Sequence, residues 1–154
     1  KKEAMKFGIN ADRLVFATYM PIEEHLNRIK QADLFIDTLP YNAHTTTSDA
    51  LRMGLPVLTC IGNSFASRVA ASLLNAVNLP ELITTNQEEY ESLAIELATH
   101  PEKLKIIKDK LVSNLSTAPL YDTKLFTKNL ESAYTMMYDR YHQGLDPDHI
   151  YVKH

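Results

Sequence analysis

The sequence HTTTSD at residues 44–49 combines an imidazole, three consecutive threonine hydroxyls and a carboxylate. It follows the apolar run DLFIDT at 33–38 and opens a helical pattern that ends at Gly54. If Thr45 or Thr46 caps this helix, the free N–H groups of the first turn, the hydroxyls and the positive end of the helix dipole converge outside it. Such an arrangement binds anions, so the sequence predicts a site of the kind that takes a diphosphate, built without glycine.

Two further side chains of this stretch bear on the ligand. Asp49 lies one helical turn after Thr45, on the same face of the predicted helix. A carboxylate would repel a neighbouring diphosphate, so its expected partner is a neutral ribose diol. His44 can donate a hydrogen bond to a phosphate oxygen. The alternative is that His44 and the threonines only cap the helix, which is the commoner role of such residues.

Composition excludes several other kinds of site. The chain has 4 glycines, and none of them forms a G-x-G-x-x-G or P-loop array. Cys60 is the only cysteine, so an internal disulfide and a thiolate metal cluster are both excluded. The formal net charge of -3 gives no general field that would attract nucleic acid or an anionic membrane. We therefore expect neither as a partner.

The elements that must position these residues follow an alternating order. Short apolar runs rich in β-branched residues alternate with helical patterns: RLVFA at 13–17, DLFIDT at 33–38, PVLTC at 56–60 and ELITT at 81–85. This order predicts an α/β fold, a Rossmann-like parallel sheet flanked by helices. Ligands of such sheets bind beyond the carboxyl ends of the strands, which is where the HTTTSD stretch falls.

The length of the chain, 154 residues with 45% hydrophobic residues, predicts one domain over 1–154. Its portion at 87–144 is predicted to be all-helical, since only three- and four-residue apolar spacing occurs there. No apolar run approaches the ~20 residues of a membrane helix, so a soluble, cytoplasmic protein is expected. The chain begins with Lys1 rather than methionine, and we interpret it as a piece of a longer polypeptide.

One long segment carries a family resemblance. The residues LFIDTLPYNAHTTTSDALRMGLPVLTCIGNSFASRVAASLL, with LPELI, EYESLAIELA and PLYDTKLFTKNLESAY after them, resemble the C-terminal catalytic half of the O-GlcNAc transferases and their bacterial relatives. That family includes the SPINDLY-type O-fucosyltransferases. The resemblance runs from about Gly8 to Asp148. It implies the C-terminal half of a GT-B glycosyltransferase fold, with the nucleotide bound by this Rossmann-like domain.

The resemblance also implies an activity and partners. The enzyme would be an inverting glycosyltransferase that moves GlcNAc from UDP-GlcNAc to serine or threonine of an acceptor protein. It would use a UDP-sugar donor and no metal or other cofactor. The N-terminal catalytic domain, the tetratricopeptide repeats and the family's remaining phosphate ligands would lie upstream, so this piece alone is expected to be inactive.

Six residues match positions with known roles in the family. His44, Thr45 and Thr46 match the diphosphate-binding turn, where they would be catalytic by stabilising the leaving group. Asp49 matches the ribose-binding aspartate. The backbone of Met20 matches the position that reads the base edge, and His25 matches a histidine packed by the nucleoside. Without the resemblance, His25 would be interpreted as an exposed helix histidine.

Departures from the family pattern leave alternatives open. Ile22 occupies the place of a ribose-contacting lysine of the animal enzymes, and Thr47 and Ser48 replace their glycine and methionine. The threonine run is more like the bacterial and SPINDLY-type sequences, whereas His44 favours UDP-GlcNAc over GDP-fucose. A GDP-fucose-dependent relative and a non-catalytic, nucleotide-sensing scaffold therefore both remain as alternatives.

Three weaker signals have mainly structural interpretations. The triplet DPD at 146–148, near His149 and His154, resembles the metal-binding D-x-D of another glycosyltransferase fold, but it follows Gly144 in a predicted tail, and we assign no metal. Asp37 is interpreted as a buried aspartate that pairs with backbone and orders the loop. Arg68 could approach a phosphate, and the alternative is that it bonds the neighbouring loop.

Overall fold

The computed structural model describes residues 1–152, so the expectation for His154 lies outside the described residues. It has three strands, β1 (Phe35–Ile36), β2 (Val57–Cys60) and β3 (Ile83–Thr84). Its α-helices are α1 (Lys2–Lys6), α2 (Ile22–Ile29), α3 (Thr45–Arg52), α4 (Val69–Ala76), α5 (Gln87–Thr99), α6 (Pro101–Leu115) and α7 (Thr123–His142). Short 3-10 helices cover Ala11–Arg13, Phe65–Ser67, Pro80–Leu82 and Pro119–Tyr121.

The sheet is parallel, with β2 between β1 and β3. Phe35 lies opposite Val57, and Thr59 lies opposite Ile83. Helix α3 connects β1 to β2, and α4 connects β2 to β3, so each connection is a crossover of the expected type. The predicted α/β fold, a parallel sheet flanked by helices, is confirmed, and the segments that leave β1 and β2 emerge at the same edge.

The predicted strand at 13–17 is wrong. Arg13 ends a 3-10 helix, and residues 14–21 are neither helix nor strand. Val15 and Phe16 are 89% and 71% exposed. A β-branched run becomes a strand only where a neighbour offers backbone N–H and C=O groups, and among residues 1–152 no strand lies beside the outer edge of β1. The sequence pattern indicates that this run favours an extended backbone, but it does not specify a partner strand.

The core fixes which face of α3 points outward. Its buried residues Thr47, Ala50 and Leu51 have the spacing of one helix face, and they pack toward β2, where Val57 and Leu58 are also buried. Burying one leucine side chain contributes about 1.5–3 kcal/mol, so this face is firmly specified. The start of α3 is therefore held with Thr45 and Thr46 exposed.

The helices from Gln87 onward stack on one another and on the sheet. Helix α5 contacts β2 and α6, and the leucines at 97, 104 and 111 are buried along this contact. Helix α7 has no buried residues. None of the helices among the described residues is long and apolar enough to cross a membrane. The single-domain boundary at 1–154 stays a prediction.

Candidate functional site

Residues 37–46 lead from β1 into α3, and we call them the β1–α3 turn. Asp37 is buried, and its carboxylate accepts hydrogen bonds from the Thr38 N–H at 2.8 Å, the Ala43 N–H at 2.7 Å and the Thr59 hydroxyl at 2.6 Å. Three donors offset the cost of burying the charge. The interpretation of Asp37 as a buried aspartate that pairs with backbone and orders the loop is confirmed.

The β1–α3 turn is also hydrogen-bonded to the neighbouring loop, which follows β2. The Asn42 N–H donates to the Ala66 carbonyl at 3.0 Å, and the Asn42 side-chain amide donates to the Thr38 carbonyl at 2.9 Å. Arg68 donates to the Gly62 carbonyl at 3.1 Å, so the alternative in which it bonds the neighbouring loop is confirmed. The two loops at the carboxyl edge of the sheet therefore support each other.

Helix α3 begins at Thr45, with His44 at the N-cap position and no side-chain cap. The expectation that Thr45 or Thr46 caps the helix is therefore wrong. The first helical donor is the Ser48 N–H, which bonds the His44 carbonyl at 3.1 Å. The N–H groups of residues 45–47 precede it and have no backbone acceptor within the described part of the chain.

The three threonines differ in environment. Thr47 is buried, and its hydroxyl donates to the Ala43 carbonyl at 2.9 Å, so it closes the turn internally. Thr45 and Thr46 are exposed, and over residues 1–152 neither hydroxyl has a hydrogen-bond partner. The hydroxyls and backbone N–H groups of Thr45 and Thr46 thus remain available at the positive end of α3, whereas Thr47 is fully buried. This donor set suits an anion.

His44 lies between two aromatic rings. It stacks on Tyr41 with ring centroids 5.2 Å apart and meets the edge of Phe65 at 6.0 Å. Its Nε2 lies 3.3 Å from the Ala66 carbonyl. When Nε2–H donates there, Nδ1 is left for a ligand, and only the imidazolium can donate from both nitrogens. His44, Thr45 and Thr46 line one cavity of 550 Å³, so the structure brings these predicted residues together.

Asp49 lies elsewhere on α3. It is half-buried and is not among the residues that line this cavity. Its charge contributes to a raised pKa of Tyr121, although burial of the phenol is the larger cause. Its ribose contact stays a prediction.

Met20 and His25 line a second cavity, of 420 Å³, at the start of α2. His25 is not a free exposed histidine, because its Nδ1 lies 2.8 Å from an Arg28 guanidinium nitrogen. Arg28 also donates to the Thr18 carbonyl at 3.1 Å. Since arginine only donates, His25 Nδ1 accepts and Nε2 carries the proton. Helix α2 contacts α3, so the two cavities belong to neighbouring elements.

Arg28 is a residue that the sequence reasoning missed. Its signal was the three-residue spacing from His25, which puts both side chains on one helix face. Ile22 lines the same cavity and is exposed, so it presents an apolar side chain there.

The DPD triplet lies beyond α7, in a segment that is neither helix nor strand. Asp148 approaches Arg140 at 3.6 Å and accepts the His149 N–H at 2.8 Å. Among the described residues, no group of three or more His, Cys, Asp and Glu side chains is placed to hold a metal ion.

Comparison with known proteins gives consistent similarities. The sequence profile of Glycosyl transferase family 41 matches residues 1–130. The chain is 35% identical, over 97% of its length, to the UDP-N-acetylglucosamine–peptide N-acetylglucosaminyltransferase of Caenorhabditis elegans. It is 39% identical, over 79% of its length, to the probable UDP-N-acetylglucosamine–peptide N-acetylglucosaminyltransferase SPINDLY of Petunia hybrida. It spans 13% of the length of each. A mutant of the O-GlcNAc transferase of Thermobaculum terrenum superposes with a TM-score of 0.82 and 34% identity, over 89% of this chain and 26% of that one.

Proposed function

Because the chain belongs to glycosyl transferase family 41, we propose that it is the part of a glycosyltransferase that binds the nucleotide-sugar donor, with the diphosphate at the N-terminus of α3. The observation that carries this proposal is the set of available donors there. Thr45 and Thr46 offer both backbone N–H groups and hydroxyls at the carboxyl edge of a parallel sheet.

The proposed reaction inverts the sugar carbon C1. The acceptor hydroxyl forms a new bond to C1 while the bond from C1 to the diphosphate oxygen breaks, and the acceptor proton leaves to a base. Negative charge builds up on the departing diphosphate. The N–H groups and hydroxyls at the start of α3, with His44 beside them, donate to that charge. A donor of this type is typically worth about 2.7–4 kcal/mol of barrier.

The nucleoside is proposed to lie against α2. Met20 would read the base edge with its backbone, while His25, oriented by Arg28, packs against the nucleoside. Asp49 would hold the ribose diol. Because His25 keeps its proton on Nε2, it can donate from the ring edge that is turned away from Arg28.

The donor is proposed to be UDP-GlcNAc, and the acceptor a serine or threonine of a protein. The similarity to the nematode UDP-N-acetylglucosamine–peptide N-acetylglucosaminyltransferase supports this choice. GDP-fucose is the alternative, because the sequence also resembles the SPINDLY-type O-fucosyltransferases. Calorimetry of the complete transferase that carries this chain separates the two: tighter binding of UDP than of GDP is expected, and the reverse order overturns the choice of donor.

Catalysis by the complete protein is the second part of the proposal. The alternative is a non-catalytic nucleotide sensor. Ile22 supports that alternative, because the resemblance places it where the animal enzymes carry a ribose-contacting lysine. Transfer of radiolabelled sugar from UDP-GlcNAc to proteins of a cell lysate decides between them. We expect labelled proteins with the wild type and strongly reduced labelling with His44→Ala and Thr46→Val. Equal labelling by the variants removes the proposed role of these residues.

A further inference from the structure

Two tyrosines from the helical part of the chain reach back to the β1–α3 turn and to α3. The Tyr90 hydroxyl, on α5, donates to the Asp37 carbonyl at 2.5 Å. The Tyr121 hydroxyl, at the end of the 3-10 helix Pro119–Tyr121, donates to the Ser48 carbonyl at 2.8 Å. The two contacts bracket the donor groups of Thr45 and Thr46, one on the strand side and one on the helix side.

Both phenols are suited to donate at neutral pH. Burial, helped by the charge of Asp37, raises the pKa of Tyr90 to about 12. Burial is also the largest cause of the raised pKa of Tyr121. Each hydroxyl therefore keeps its proton. Each acceptor is a backbone carbonyl, so these bonds fix the path of the main chain rather than the rotamer of a side chain.

The hydrogen bonds of the Asp37 carboxylate do not do the same work as either tyrosine contact. The carboxylate of Asp37 ties residue 38 to residue 43, which sets the shape of the turn but not its place relative to the helices outside the sheet. Tyr90 links the start of the turn to α5, and Tyr121 links the first part of α3 to the segment between α6 and α7. The position of the N–H groups of Thr45 and Thr46 thus depends on elements that contribute no residue to the cavity around His44.

We propose that Tyr90 and Tyr121 are positioning residues for the transferase reaction: together they hold the β1–α3 turn and α3 so that the donors of Thr45 and Thr46 meet the leaving diphosphate. This inference rests on the proposed function. A misplacement of about 1 Å at a reacting group costs about 100-fold in rate, whereas one ordinary hydrogen bond accounts for about 10-fold or less. Loss of both phenol hydroxyls should fall between these limits.

The test uses Tyr90→Phe, Tyr121→Phe and the double variant in the complete transferase. Each change removes one hydroxyl and keeps the ring. We expect kcat to fall about 3-fold in each single variant and about 10-fold or more in the double variant, with less than about a 2-fold change in acceptor KM. Hydrogen exchange of the bonded N–H groups of Thr38, Ala43 and Ser48 should become faster.

Two control variants separate positioning from general stability. Tyr134→Phe removes an exposed phenol hydroxyl on α7. Asn114→Ala removes a 2.9 Å bond from α6 to the Val77 carbonyl, far along the chain from the turn. We expect Asn114→Ala to lower the melting temperature as much as the phenol variants do, yet to leave kcat and exchange at 38–48 at wild-type values. Tyr134→Phe should change none of these quantities.

Each outcome decides the inference. Wild-type kcat in the double variant overturns it, whether or not exchange at 38–48 changes. An equal fall of kcat in Asn114→Ala also overturns it, since the effect would then be one of stability. If the wild-type transferase moves no sugar from UDP-GlcNAc or GDP-fucose, the proposed function fails. The hydrogen-exchange measurement then decides on the contacts alone. Unchanged exchange at Thr38, Ala43 and Ser48 in the tyrosine variants contradicts the positioning contacts, and faster exchange supports them.

Discussion

The Thr59 hydroxyl, on the central strand, donates to the Asp37 carboxylate at 2.6 Å, and both side chains are buried. The same carboxylate receives the Ala43 N–H, one residue before His44. The interior of the sheet and the candidate site therefore share one charged group. A substitution of Thr59, which lies outside the cavity around His44, should therefore lower the stability of the β1–α3 turn.

Thr59→Val is predicted to lower the free energy of unfolding by about 1.5–3 kcal/mol, because a buried carboxylate loses one of its donors. Thr84→Val is the matched control. Thr84 is a buried threonine on the adjacent strand whose hydroxyl bonds the neutral Thr59 carbonyl at 3.0 Å, so a loss of about 0.5–1.5 kcal/mol is expected there. Urea denaturation measures both, and a larger loss at Thr84 contradicts the account.

Thr46 and Thr47 are predicted to respond in opposite ways to the same substitution. Thr46→Val removes an exposed hydroxyl, so stability should stay within about 0.5 kcal/mol while kcat falls about 100-fold. Thr47→Val removes the bond to the Ala43 carbonyl, so stability should fall by about 1 kcal/mol while kcat changes far less. Steady-state kinetics and thermal melting of the complete transferase check both, and a similar loss of kcat in both variants argues against the division of roles.

Arg28→Met is predicted to weaken UDP binding about 10-fold, equivalent to about 1.4 kcal/mol, because His25 loses the partner that fixes its ring. The methionine keeps much of the apolar stem. Arg13→Met, an exposed change outside the cavity around His25, serves as the control and should leave affinity unchanged. Calorimetry with UDP gives both values; equal affinities for wild type and Arg28→Met remove Arg28 from the nucleoside site.

The stability contributed by the N-terminus of α5 is predicted to depend on pH through Glu89. Its carboxylate accepts the Thr85 N–H at 3.0 Å and the Thr85 hydroxyl at 2.8 Å, and the N–H is the largest cause of a pKa lowered from 4.5. A lowered folded pKa means that the stabilisation is present above pH about 4.5 and is lost as pH falls through the folded value. Glu89→Gln should therefore melt below the wild type at pH 7, with the difference closing in acid.

Glu91→Gln is the control for that prediction, since Glu91 is an exposed acid on the same helix. It should match the wild type at both pH values. A constant difference between Glu89→Gln and the wild type from pH 7 down to pH 3 contradicts the assignment of the effect to the carboxylate.

The sequence predicted the parallel sheet and the hydroxyl-rich helix start after its first strand because both follow from local patterns. Apolar runs, crossover helices and the hydroxyl-rich helix start are all encoded within a few residues of one another. The structural role of Asp37 could likewise be predicted, since a carboxylate at the end of a buried strand needs nearby backbone donors.

Other features depend on contacts between distant residues and could not be predicted. The run at 13–17 looks like a strand, but pairing requires a neighbour that the run itself does not specify. The three consecutive threonines differ in solvent exposure because packing against the core determines which face of α3 is buried. Thr47 lies on that buried face, and Thr46 does not. The contacts of Tyr90 and Tyr121 span 53 and 73 residues, beyond the reach of any local pattern.

The most direct test of the central claim is a crystal structure of the complete transferase with UDP. Diphosphate oxygens are predicted to lie about 2.7–3.2 Å from the N–H groups or hydroxyls of Thr45 and Thr46, with His44 beside them. Ordered UDP whose diphosphate lies away from the start of α3 would contradict the account.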